Sequence, residues 1–180
     1  MSTVSPFPMK KYRRWQTEQE DNMKTIVVYY SLEGNTEFAA QSIAQKLGCD
    51  ILRLEPQKDY PTGKVTKFLW GGKSAVMAET PALKPYTFNS GSYDRIILAS
   101  PVWASNITPP IRTFIKENDL GGKKFAAVCC QAGNGAEKVF EKLSALLGAP
   151  LDETLVLIDP KAHRNAENEE KIAQFCDKLR

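Results

Sequence analysis

From Met23 onward, short apolar runs alternate with longer amphipathic ones. Runs at 24–30 (KTIVVYY), 50–54 (DILRL), 94–100 (DRIILAS), 123–130 (KKFAAVCC) and 151–158 (LDETLVLI) have the length of strands. TIVVYY and RIILA are almost continuously apolar, the pattern of central parallel strands covered on both faces. DILRL and the last run are mixed, which predicts sheet edges. Between the strands, the spacing predicts helices at 35–47, 63–79, 107–118, 135–147 and 166–179. Phe38, Ile43, Ala44 and Leu47 form one stripe ended by Gly48; Val139, Phe140, Leu143, Leu146 and Leu147 form another ended by Gly148. Pro109 and Pro110 stand where a first helical turn tolerates proline. Strand followed by helix, five times over, predicts an α/β fold with a doubly wound parallel sheet, right-handed crossovers and helices on both faces. The pattern leaves the strand order open. Ligands of such sheets bind beyond the carboxyl ends of the strands, so the loops after the first, third and fourth strands are the places to look.

The first of these loops is Ser31-Leu32-Glu33-Gly34-Asn35-Thr36, between a buried strand and a helix start. Backbone N–H groups at a helix N-terminus attract an anion, and the hydroxyls and amide of Ser31, Asn35 and Thr36 can add donors. The loop has no lysine or arginine, so it is not a P-loop; Gly71-Gly72-Lys73-Ser74 fails that motif too, because position 67 is lysine. The plain alternative is a helix capped by Ser31 or Asn35. The second loop, Ser100-Pro101-Val102-Trp103-Ala104-Ser105-Asn106, carries an aromatic that can stack on a flat heterocycle or pack on the next helix. In the third, Cys130-Gln131-Ala132-Gly133-Asn134-Gly135, the glycines allow either close backbone approach to a ligand or an ordinary turn.

Composition adds limits. With 180 residues, 42% of them hydrophobic, the chain suits one domain with a substantial core. A net charge of +3 does not indicate a nucleic-acid footprint, and no apolar run approaches the roughly twenty residues of a membrane span. Cys49, Cys129, Cys130 and Cys176 form no CxxC pair, which favours free thiols in a reducing cytoplasm over metal or disulfide use. Residues 1–22 differ from the rest: two prolines, then Lys10, Lys11, Arg13 and Arg14, then Glu18, Glu20 and Asp21, without the apolar stretch of a secretory signal. They read as a flexible extension preceding a domain at 23–180, with a basic arm for a partner or membrane surface as the sharper alternative. His163, in a turn-rich loop, reads as a surface residue, and Tyr29 and Tyr30 as strand core.

The three loops together carry a resemblance. YYSLEGNTEFAA resembles the phosphate loop of flavodoxins, SPVWASNITPPI their flavin-flanking tryptophan loop, and YDRIILASPVW the strand leading into it. The likeness spans residues 24 to about 179 and is to the short-chain type; GGKSAVMAETPALKP resembles a bacterial subgroup. It implies a flavodoxin-like sheet of order 2-1-3-4-5 with FMN as cofactor. Ser31, Gly34, Asn35 and Thr36, with the N–H groups of Leu32 and Glu33, would then hold the phosphate. Pro101, Val102, Trp103 and Ala104 would line one side of the ring system, and Cys130, Gln131, Ala132 and Gly133 its edge. Fixed N–H dipoles would meet the phosphate dianion without a lysine.

Three departures qualify the expected chemistry. Gly133-Asn134-Gly135 lacks the aromatic that flavodoxins commonly stack on the outer ring face, so that face is open or covered by Tyr60, Trp70 or a partner. Ala104 and Ser105 stand where the family often has glycine and an acid; a Cβ opposes left-handed backbone there by roughly 1 kcal/mol, which implies weaker stabilisation of half-reduced flavin. Without residues 1–22 the domain has 20 basic against 18 acidic residues, so steering toward basic redox partners would be modest. The resemblance implies an electron-transfer protein working between a reductase and an electron acceptor. An FMN-dependent NAD(P)H:quinone or acceptor oxidoreductase is the alternative, since the bare third loop leaves room for a nicotinamide or quinone. A flavin-free α/β binding module is the third reading; a receiver domain would need acids after the first and third strands, where Ser31 and Ser100-Pro101 stand.

Overall fold

The computed structural model describes residues 23–60, 73–162 and 166–180. Its five strands are β1 (Thr25–Tyr29), β2 (Asp50–Arg53), β3 (Arg95–Pro101), β4 (Lys124–Gln131) and β5 (Glu153–Ile158). They form one sheet of order β2-β1-β3-β4-β5, and every neighbouring pair is parallel. The long helices are α1 (Asn35–Leu47), α2 (Pro109–Glu117), α3 (Ala136–Leu147) and α4 (Ala166–Lys178).

Alternation along the three central strands divides their side chains between two cores. Ile26, Val28, Ile96, Leu98, Phe125, Ala127 and Cys129 face Ile111, Phe114, Val139 and Leu143 of α2 and α3. Val27, Tyr29, Ile97, Ala99, Ala126, Val128 and Cys130 face Ala40 and Ile43 of α1 and Ile172 and Phe175 of α4. That double burial is why these strands are apolar without interruption. β2 and β5 are the mixed edges expected, with exposed positions in both.

Differences from the expected boundaries are small and have local causes. β5 begins at Glu153 rather than 151, after the Asp152 N–H donates to the Phe125 carbonyl at 2.7 Å. α2 begins at Pro109 because Thr108 is still extended. The predicted helix at 63–79 lies mostly outside the described residues; from it the structure describes a helical piece at 73–76. The stretch leading to β3 crosses back antiparallel to the residues after β2, pairing Pro56 with Leu83, an arrangement no turn signal announced. The extension at 1–22, Trp70 and His163 lie outside the described residues. Among the described residues, no helix is long and apolar enough to cross a membrane.

Candidate functional site

β1, β3, β4 and β5 end at the same edge of the sheet, and their loops enclose a cavity of about 330 Å³. Twelve of the fourteen residues expected at the site line it: Ser31, Leu32, Glu33, Asn35, Thr36, Pro101, Val102, Trp103, Ala104, Cys130, Gln131 and Ala132. Gly34 and Gly133 do not, and Asp159, from the loop after β5, completes the wall.

The loop after β1 is built as an open helix start. Gly34 takes a left-handed φ of 92° as the N-cap of α1, and no side chain caps the helix. The two plausible caps are otherwise engaged. The Ser31 hydroxyl accepts the Gly34 N–H at 3.1 Å, and Asn35 Oδ1 accepts the Lys161 N–H at 3.0 Å. Neither side chain therefore caps the first turn, and among the described residues its N–H groups are left as the kind that attract a ligand anion. Thr36 is buried and lines the cavity with Cys130, whose thiol its hydroxyl tends to acidify. Burial pushes that thiol up to about 12, outweighing the Thr36 contact, which lowers it. Cys130 is a neutral packing group at physiological pH, and all four cysteines are free.

Beyond β3 the chain makes a tight turn, closed by the Asn106 N–H donating to the Trp103 carbonyl at 3.0 Å. Its central residues, Ala104 and Ser105, have φ of 48° and 54°. Cβ atoms oppose this conformation, and the neighbours explain why it is adopted. Asn106 Nδ2 donates to the Ala104 carbonyl at 2.7 Å, and Lys142 Nζ, from α3, donates to the Ser105 carbonyl at 2.9 Å and to Asn106 Oδ1. Strain of this kind persists where surrounding contacts over-determine the backbone. Trp103 is half-buried and meets two tyrosines edge-on: Tyr60 at 5.1 Å and Tyr30 at 5.5 Å between ring centres. Burial raises both phenol pKa values, that of Tyr60 to about 12, so the aromatic wall is uncharged.

After β4, Gln131 caps the next helix: its Oε1 accepts the Ala136 N–H at 3.1 Å. Its carbonyl accepts the Asp159 N–H at 3.2 Å, which ties the third loop to the fourth. Gly133 is exposed, and no described atom lies within 4 Å of where its Cβ would stand. Asp159, Lys161 and Lys142 escaped the sequence argument because they lie far along the chain from the loops they touch. Asp159 and Lys161 belong to the turn-rich loop that also holds His163.

A family model for flavodoxins matches residues 24–179. The chain belongs to the flavodoxin family. No curated protein sequence matches it significantly. Among solved structures, it is similar to a candidate flavoprotein from Bacteroides uniformis (TM-score 0.72, 21% identity, covering 86% of this chain and 98% of that one). It is also similar to a flavoprotein from Lactobacillus acidophilus solved in complex with FMN (TM-score 0.69, 15% identity, covering 85% and 98%). At these identities the likeness concerns the fold, and it bears out the doubly wound sheet and its strand order.

Proposed function

We propose that this domain binds FMN in the cavity at the carboxyl edge of its sheet and carries electrons between a reductase and an acceptor protein. The observation that carries the reading is the uncapped first turn of α1 opening into a cavity whose other wall is Trp103. Such a site suits a ligand with an anion at one end and a flat ring at the other. FMN, when bound, accepts and releases electrons. The side chains of Ser31, Asn35 and Thr36, with the N–H groups of Leu32, Glu33, Asn35 and Thr36, hold the phosphate. Pro101, Val102, Trp103 and Ala104 line a face of the ring system, and the backbone from Cys130 to Ala132 lies along its edge. The site's thiol and phenols stay neutral near pH 7, so they shape and shield the ring rather than exchange protons with it.

One observation favours the enzyme reading: among the described residues the space at Gly133 is open, which leaves room for a nicotinamide or quinone. Anaerobic mixing of the FMN-loaded protein with NADH or NADPH separates the two. The carrier reading predicts that the flavin stays oxidised for minutes until a reductase is added. Bleaching within seconds by the nucleotide alone assigns the protein to the NAD(P)H-dependent oxidoreductases instead. A cytoplasmic location, with soluble redox proteins as partners, goes with the carrier reading.

A further inference from the structure

The loop after β5 reaches back over the helix start at α1. The Ala162 N–H donates to the Asp159 carbonyl at 3.0 Å, and Asp159 has a φ of 38°, so the chain turns sharply. That turn lays Lys161 across Gly34. The Lys161 backbone N–H donates to Asn35 Oδ1, and its Nζ donates to the Glu33 carbonyl at 3.3 Å. A Cβ on Gly34 would stand 2.7 Å from that Nζ and 3.2 Å from the lysine Cδ. The glycine thus serves the left-handed turn and also admits the lysine.

We propose that Lys161 is a phosphate-recognition residue of this site, an assignment that rests on the FMN reading above. Two features of the contact support it. Its ammonium has a neutral carbonyl as hydrogen-bond acceptor and no carboxylate partner among the described residues, so its charge is not spent within the protein. Its backbone N–H engages Asn35 through the amide oxygen, which leaves the Asn35 Nδ2 donors for an anion at the start of α1. The loop from Ser31 to Thr36 has no cation of its own, and this long-range contact would supply one from the loop after β5. Asp159 lines the same cavity, so the positive charge of Lys161 would also offset the negative charge that this acid brings near the phosphate.

The test compares FMN with riboflavin, which lacks the phosphate, by fluorescence titration of the full chain and its K161M and K161R variants. K161M is expected to weaken FMN binding about five- to tenfold, the range of one exposed charge-assisted hydrogen bond, and to change riboflavin binding less than twofold. K161R is expected to recover most of the loss. The FMN dissociation constant should rise with ionic strength more steeply for the wild type than for K161M. Unchanged FMN binding in K161M, equal losses on both flavins or equal salt dependence would overturn the Lys161 assignment alone. A wild-type protein that binds neither flavin would overturn the FMN reading, and this assignment with it.

Discussion

Replacing Gly135 with alanine should lower the melting temperature by about 5–10 °C and weaken flavin binding at the same time. Gly135 has a φ of 108°, a conformation that costs an L-residue roughly 1 kcal/mol or more. Its added Cβ would also lie 2.3 Å from the Ser105 hydroxyl oxygen, 3.1 Å from the Ser105 Cβ and 3.4 Å from its Cα. The hydroxyl can rotate away, but Ser105 is itself fixed in left-handed backbone, with its carbonyl held by Lys142 of the same helix. The loop after β3 must therefore move away from α3. Overpacking of this kind costs about 1–3 kcal/mol beyond the backbone penalty, and each kcal/mol lowers the melting temperature of a domain this size by about 2–4 °C. Trp103 and Ala104 belong to the displaced turn, which is why affinity falls with stability. Gly148→Ala supplies the comparison. Gly148 has a φ of 64° with no described atom within 4 Å of its missing Cβ, so it should lose only the backbone term and bind FMN normally. Thermal melts and FMN titrations of both variants check this; equal losses in the two would refute the proposed contact between α3 and the turn.

Phe114→Ala should be more damaging to stability and nearly silent in the site. Phe114 has no exposed surface and meets Phe88 edge-on at 4.9 Å and Tyr86 at 6.0 Å, beneath the face of the sheet covered by α2 and α3. Removing a ring from such a core costs about 3–5 kcal/mol through lost burial and a residual cavity. Phe114 does not line the ligand cavity. Chemical denaturation should show the loss, while the folded fraction binds FMN within twofold of wild type. A large fall in affinity would mean that the packing under α2 sets the shape of the site.

The contrast between core and site also explains what could be read from the chain. Continuous apolar runs such as TIVVYY arise only where both faces of a strand are buried, so β1, β3 and β4 announced themselves. DILRL and LDETLVLI were legible as edges because exposed positions interrupt the apolar ones in both. The strand order was not legible from periodicity, since every order buries the same residues; it came from family likeness. The site was legible where its residues are contiguous, at Ser31–Thr36 and Pro101–Ala104. Lys161 is 126 positions from the Asn35 side chain it engages, and no local pattern records that. Nor does propensity forecast left-handed backbone at Ala104 and Ser105. Contacts from Asn106 and Lys142 outweigh a local preference of about 1 kcal/mol per residue.

The rigid turn at Ala104 and Ser105 bears on the expected redox behaviour. Its carbonyls are already engaged by Asn106 and Lys142, so reorienting a peptide there would break at least one hydrogen bond. These hydrogen bonds, rather than the Cβ atoms, are the reason to expect little rearrangement of the loop on reduction.

The account stands or falls on the cavity between the start of α1 and Trp103. Titration of the purified chain with FMN, followed by visible absorbance and flavin fluorescence, addresses it most directly. The prediction is saturable one-to-one binding at micromolar concentrations or below, with a perturbed flavin spectrum and quenched fluorescence from the ring held beside Trp103. FMN whose absorbance and fluorescence stay those of the free cofactor at micromolar protein would contradict it.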